Sequence, residues 1–215
     1  MYLLAGLAWV ALTNPGSALV LVAWFVVVAV VGSFVPGVAN QVSLARAHLA
    51  APAIFYGVAP GRLGVLAVVL ALAGLSDLVD GTIARRFDIP SMLGGGLDPV
   101  VDGVLLGAVA IGLALGGTLP PWLAVVIVLR YALPAVVALV LLSTHRRPEL
   151  RHTVSGQVST ALIIILVGGL CLFRFLNQDA GNIVGGAEIV IPITTVAAFV
   201  HLGWLAWRSS APRPA

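Results

Sequence analysis

Five of the eight acidic residues of this chain, Asp77, Asp80, Asp88, Asp98 and Asp102, fall within residues 77–102. Asp77, Asp80, Gly81 and Ala84 follow i, i+3, i+4, i+7 spacing, so a helix puts them on one face with Arg85 beside them. Asp98 and Asp102 are four apart and share a face of the next helix, with Asp98 suited to the N-cap and Pro99 to the first helical position. Between them run Pro90 and Gly94, Gly95 and Gly96, which predict a loop from Arg86 to Leu97 joining two antiparallel neighbours. Four carboxylates then converge. Two unit charges about 4 Å apart repel by about 4 kcal/mol at an effective dielectric of about 20. Such a group must protonate or bind cations, and two divalent ions neutralise it. All-oxygen ligation suits Mg²⁺, Mn²⁺ or Ca²⁺. A paired-cation carboxylate cluster beside an arginine is suited to displacement at phosphorus, where attacking and leaving oxygens both gather charge. Gly81 and Ala84 leave room for a flat base or a diphosphate to approach the backbone.

Each feature also has a plain structural explanation. The aspartates could be solvated helix ends, Gly81 and Ala84 a close helix contact, and Arg85 an ordinary cytoplasmic anchor. The shared register of all of them favours a site.

The elements that carry these residues are apolar. The 215 residues are 60% hydrophobic and 9% charged, with 11 basic residues, all arginine, and formal net charge +3. An average soluble domain is about one quarter charged. A water-soluble globule, a disordered chain and a nucleic-acid-binding domain are excluded on these grounds. The single cysteine, Cys171, rules out an internal disulfide and a multi-cysteine metal site, and sits in an apolar run as an inert core residue. Apolar windows predict membrane spans over residues 17–37, 44–60, 62–83, 97–117, 121–143, 155–176 and 186–207, punctuated by Gly61, Pro120-Pro121 and Gly185-Gly186. The first lacks the basic start of a signal peptide and reads as retained. With the loop after residue 83 in the cytoplasm, Arg46, Arg85, Arg86, Arg146, Arg147, Arg151, Arg208 and Arg213 fall inside, against Arg62 and Arg174 outside. Arg130 falls within a span, where an unpaired charge is costly.

Residues 77–102 read D-L-V-D-G-T-I-A-R-R-F-D-I-P-S-M-L-G-G-G-L-D-P-V-V-D. This resembles the CDP-alcohol phosphotransferase motif, D-x2-D-G-x2-A-R-x8-G-x3-D-x3-D, at every specified position. Residues Asn40, Gln41, Val42, Ser43, Leu44, Ala45 and Arg46 are similar to the stretch that opens the first core helix of phospholipid-synthase members. The resemblance implies an all-α, polytopic membrane helix bundle with six core transmembrane helices over residues 40–208. An additional hydrophobic segment, 1–39, contributes an extra N-terminal helix, and 209–215 form a tail.

The resemblance also implies transfer of a substituted phosphate from a CDP-linked donor to an alcohol, with release of CMP. Asp77, Asp80 and Asp98 match the metal-binding aspartates, and Asp102 matches the one that contributes to metal binding and acts as base. Two divalent cations, Mg²⁺ or Mn²⁺, are the implied cofactors. Gly81 and Arg85 match residues that hold the CDP group, next to Ala84, and Ser91 with Asn40, Gln41, Val42 and Ser43 match further donor contacts. Members are homodimers with sites open to the cytoplasm, which points to a multi-pass protein of the cell inner membrane.

A site at the membrane boundary suits CDP-diacylglycerol as donor, with tails in lipid and cytidine in water. A soluble CDP-alcohol is the reverse arrangement. A small alcohol is the acceptor, and a phosphorylated one would need cations such as Arg146, Arg147 and Arg151, or Arg130 inside the bundle. Relatives often have Gly-Lys where this chain has Gly156-Gln157, which weakens the case for a phosphorylated polyol. His201 reads as a hydrogen bonder between helices. Two other classes compete: a divalent-cation transporter, since intramembrane acids mark ion paths, and a catalytically inactive family member acting as a scaffold. The clustering of acids near one membrane face, beside Arg85 and a glycine loop, argues against the transporter.

Overall fold

A computed structural model describes the backbone of residues 16–35, 38–87, 94–143 and 154–210, together with Ala8, Ala11 and Leu12. Side chains are described over the same stretches except 38–40, 42, 77–87, 94–98, 138–143, 154 and 205–210. The described residues form α-helices and one 3₁₀ turn, with no strand among them. In chain order the helices are α1 (Ala18–Ser33), α2 (Val38–His48), α3 (Ala50–Val58), α4 (Leu63–Phe87), α5 (Gly94–Leu115), α6 (Pro121–Ser143), α7 (Val154–Phe175) and α8 (Gly181–Ser210).

The span expected over 44–60 is two helices, α2 and α3, separated by a turn at Leu49. Pro52 explains the break. In a continuous helix its ring would clash with the carbonyl of His48, whereas in the first turn of α3 its missing N–H costs nothing. A 3₁₀ turn, Pro60–Arg62, reverses the chain into α4.

Two helix ends carry left-handed residues. Gly117 has φ +70°, with the Thr118 N–H on the Leu113 carbonyl at 2.9 Å. Asn177 has φ +54°, with the Gln178 N–H on the Phe173 carbonyl at 2.9 Å. Both are Schellman ends of α5 and α7, and each satisfies carbonyls that an apolar surrounding would leave bare. Pro121 opens α6 as its first residue.

Two expected boundaries move. The sequence places Asp98 at the N-cap, but α5 begins at Gly94, leaving Pro99 inside the helix. The carbonyl facing the Pro99 ring belongs to Gly95, whose backbone can tilt to accommodate it. Gly185-Gly186 lie within α8, which begins at Gly181 because the Asp179 Oδ1 accepts the Gly181 N–H at 2.9 Å. Nothing lies within 4 Å of a Cβ built at either glycine, so they mark open helix surface.

Packing follows apolar faces. α3 and α5 pack on each other, as do α5 and α6, α7 and α8, and α4 and α7. Tyr56, Leu66, Leu70, Leu105, Leu113, Leu123, Ile127, Ile163 and Leu170 fill the main core. Cys171 is buried there too. The α3–α5 crossing is closest at its glycines. A Cβ on Gly112 would come within 2.6 Å of the Ile54 carbonyl oxygen, and one on Gly116 within 2.3 Å of that of Gly57. Backbone cannot yield as a side-chain tip can. Gly112→Ala is therefore expected to cost about 1–3 kcal/mol by forcing α3 and α5 apart. At about 2–4 °C per kcal/mol, the melting temperature of the detergent-solubilised protein falls measurably. Gly186→Ala, in open space, is the control and should leave it unchanged or slightly raised.

Among the described residues, Ser155–Phe175 and Gly181–Trp204 are stretches long and apolar enough to cross a membrane. Ala18–Ser33, Pro60–Ser76, Pro99–Leu115 and Pro121–Val137 are shorter apolar stretches.

Candidate functional site

α2 packs against both helices that carry the motif, α4 and α5. α4 carries Asp77, Asp80, Gly81, Ala84 and Arg85, and α5 carries Asp98 and Asp102. Asp98 remains four residues from Asp102 within one helix, so their common face survives the shift of the helix start. The side chains of Asp77, Asp80, Gly81, Ala84, Arg85 and Asp98 lie outside the described residues, as do those of Asn40 and Val42 on α2. Ser91, Arg146, Arg147 and Arg151 lie outside the described residues altogether. Among the described residues no cluster of three or more metal-ligating side chains occurs.

Asp102 is described. Its Oδ1 accepts a hydrogen bond from Nη1 of Arg46 at 2.9 Å, with Asp102 18% exposed and Arg46 3% exposed. Arg46, counted above on the cytoplasmic side, is buried against the fourth motif aspartate. A guanidinium so enclosed is retained only with a partner, and the carboxylate is that partner. The sequence held a signal for it: Asn40, Ser43 and Arg46 recur at i, i+3, i+6 on α2, a polar stripe along the helix. Ser43 is also buried, and the Gln41 amide nitrogen donates to the carbonyls of Gly32 at 3.0 Å and Val35 at 2.8 Å. Gln41 therefore fastens the turn between α1 and α2.

On the other side of Asp102 stands α6. A Cβ on Gly103 would meet the Tyr131 Cβ at 2.7 Å, so the glycine beside Asp102 is what lets Tyr131 approach α5. Arg130, its neighbour, is 7% exposed. Its Nη2 donates to the Gly156 carbonyl on α7 at 2.9 Å, its guanidinium carbon lies 5.4 Å from the Tyr131 ring centre, and its Nε has no hydrogen-bond partner. Arg130 thus adjoins the Gly156-Gln157 step that departs from the Gly-Lys of relatives.

A polar seam continues from there between α6, α7 and α8. The hydroxyls of Tyr131 and Thr160 share a hydrogen bond of 3.1 Å, Ser159 donates to the Thr194 hydroxyl at 3.2 Å, and Ser155 Oγ lies 2.7 Å from His201 Nδ1. His201 is the interhelical hydrogen bonder its position suggested. A seam of this kind satisfies polar groups that a bilayer would leave bare.

The motif acids offer carboxylate oxygens, and Asp102 is paired with Arg46 at 2.9 Å. Hard divalent ions fit such donors.

Residues 36–209 match the family model of CDP-alcohol phosphatidyltransferase. Over 171 residues the chain is 33% identical to a cardiolipin synthase (CMP-forming) / mitochondrial hydrolase fusion protein of Schizosaccharomyces pombe, covering 70% of this chain and 28% of that protein. It is 30% identical over 160 residues to a Drosophila melanogaster protein named "Probable cardiolipin synthase (CMP-forming)", covering 66% and 49%. It is 32% identical over 101 residues to the cardiolipin synthase (CMP-forming) of Streptomyces coelicolor, covering 47% and 46%. The chain spans less than half the length of each of these relatives. No solved structure matches.

Proposed function

The chain belongs to the CDP-alcohol phosphatidyltransferase family, and on that premise we propose that it is a phospholipid-synthesis transferase of the membrane, moving a phosphatidyl group from CDP-diacylglycerol to an alcohol hydroxyl and releasing CMP. One observation carries this reading: the matched segment, 36–209, includes every specified position of the motif between Asp77 and Asp102.

The relatives' names sharpen the acceptor. A cardiolipin formed with loss of CMP contains one phosphatidyl group from the donor, so the remainder, phosphatidylglycerol, is the acceptor. Its terminal hydroxyl is the attacking group, carried on a lipid rather than on the small alcohol expected above. Its phosphate is a diester with a single negative charge, and one arginine matches that charge. Arg130, with an Nε donor to spare and next in sequence to the Tyr131 that meets Gly103, supports that role.

Asp77, Asp80, Asp98 and Asp102 would hold two divalent cations, Mg²⁺ or Mn²⁺, which when bound supply charge stabilisation at the phosphate oxygens. Asp102 takes the proton of the acceptor hydroxyl. The acceptor oxygen forms a bond to the phosphatidyl phosphorus, the bond from that phosphorus to the bridging oxygen breaks, and CMP leaves with the electron pair. Gly81, Ala84 and Arg85 hold the cytidine diphosphate, with Asn40, Gln41, Val42, Ser43 and Ser91 as further donor contacts. Arg146, Arg147 and Arg151 attract anionic headgroups from the cytoplasmic loop.

A six-span core with the extra N-terminal helix, dimeric in the inner membrane and open to the cytoplasm, completes the reading. The arginine asymmetry supports the orientation. Outward isoleucines and valines support lipid around α7 and α8: Ile165 is 66% exposed, Ile189 63% and Ile193 62%.

The test is to incubate purified protein with Mg²⁺, CDP-diacylglycerol and separate acceptors: phosphatidylglycerol, glycerol 3-phosphate, inositol, inositol phosphate, serine and choline. CMP release and cardiolipin formation with phosphatidylglycerol alone are expected. CMP release with only a different acceptor overturns the acceptor, and none with any acceptor overturns the reaction. Arg130→Gln keeps a hydrogen-bond donor but loses the charge. It is expected to raise the KM for phosphatidylglycerol about tenfold or more, as loss of a charged hydrogen bond of about 1.5–3 kcal/mol implies. An unchanged acceptor KM removes Arg130 from the pocket.

A further inference from the structure

Arg46 stands outside the motif, yet it pairs with the motif's last aspartate. The turn of α2 that carries it is held from outside the core. The indole N–H of Trp24 on α1 donates to the carbonyl of Ala47, the residue after Arg46, at 2.8 Å. One residue further, His48 Nδ1 donates to the Leu44 carbonyl at 3.1 Å, and the ring lies against Phe25 of α1, with ring centres 5.6 Å apart. At the start of α2, Gln41 fastens the end of α1 through the carbonyls of Gly32 and Val35. α1 (Ala18–Ser33) precedes the family-matched segment, which starts at residue 36.

We propose that Arg46 is a positioning residue for Asp102, and that α1 serves the site by fixing the turn of α2 from which Arg46 reaches. This rests on the proposed role of Asp102 as proton acceptor. A carboxylate on α5 can rotate about its own side-chain bonds. A charge-assisted hydrogen bond to Oδ1 from a buried guanidinium sets its plane and therefore the direction of its other oxygen. Orientation of this sort governs the rate of proton transfer more than the affinity for donor. α2 packs on α1 and on both α4 and α5, so a shift of α1 reaches the motif helices through it.

The experiment measures CMP release by the full chain in detergent, normalised to folded protein by melting temperature and gel filtration. Arg46→Gln is expected to lower kcat about 100-fold, with the KM for CDP-diacylglycerol within about twofold of wild type, since misorientation of a reacting group costs about that much. Arg46→Lys, which keeps a charge and a donor, is expected to recover about tenfold of the loss. A fully active, folded Arg46→Gln overturns the proposal, and so does a folded Arg46→Lys no better than Arg46→Gln. Should Arg46→Gln fail to fold, Trp24→Phe decides: it keeps an aromatic ring, removes the donor to Ala47 and trims part of the indole that packs on the neighbouring clusters. It is expected to lower kcat about fivefold per folded molecule, the equivalent of one hydrogen bond, with a melting temperature only a few degrees lower. Wild-type turnover in Trp24→Phe overturns the role of α1. A wild-type protein that releases no CMP from any acceptor fails the proposed reaction, an outcome distinct from an active wild type beside an equally active Arg46 variant.

Discussion

Asp102→Asn is expected to lower CMP release by about 100- to 10,000-fold, the usual contribution of a positioned base. The amide cannot take the acceptor's proton. Its oxygen can still accept the hydrogen bond from Arg46, so local geometry survives better than charge. Arg46, 3% exposed, then lies buried without its counter-charge. Losing one partner of such a pair costs about 3–5 kcal/mol. The variant should therefore both turn over slowly and melt lower, and the rate must be taken per folded molecule. Trimming the pair to Asn and Gln together, in Asp102→Asn with Arg46→Gln, removes the orphan charge and should restore part of the lost stability but none of the turnover. Wild-type turnover in folded Asp102→Asn would remove Asp102 from the chemistry.

Chelation is the second large effect. EDTA is expected to bring CMP release to background, and Mg²⁺ or Mn²⁺ to restore it. The effect is electrostatic in origin. Each pair of carboxylates about 4 Å apart repels by about 4 kcal/mol at an effective dielectric of about 20. Asp102 has Arg46 to offset it, so the other three motif aspartates dominate the demand for cations. A binding cation also stabilises the fold by mass action, by about 2.7 kcal/mol at about one hundred times its Kd. The melting temperature should therefore rise on adding Mg²⁺ to the stripped protein, a readout that does not depend on turnover. Undiminished activity in metal-free buffer would overturn the two-cation reading.

Much of the architecture was legible because lipid-type helices write themselves in composition. The window 121–143 coincides with α6, and 155–176 differs from α7 (Val154–Phe175) by one residue at each end. Where a boundary failed, local backbone chemistry had outweighed hydropathy. Pro52 broke one expected span into α2 and α3, and the Asp179 carboxylate drew the start of α8 ahead of Gly185-Gly186. Gly94–Gly96, read as loop, form the first turn of α5, because glycine is costly in a helix but not forbidden there.

By itself the sequence determined which residues could share a helix face and which chemistry their types allow. Asp77, Asp80, Asp98 and Asp102 needed only helical periodicity and their charge for that. Only the tertiary structure decided that Arg46, 56 positions earlier in the chain, meets Asp102, and that Arg130 reaches Gly156 from another helix. Periodicity is a property within one helix. Which helix face lies against which depends on how glycines such as Gly103 and Gly112 let backbones approach, and that is settled by packing across the whole bundle.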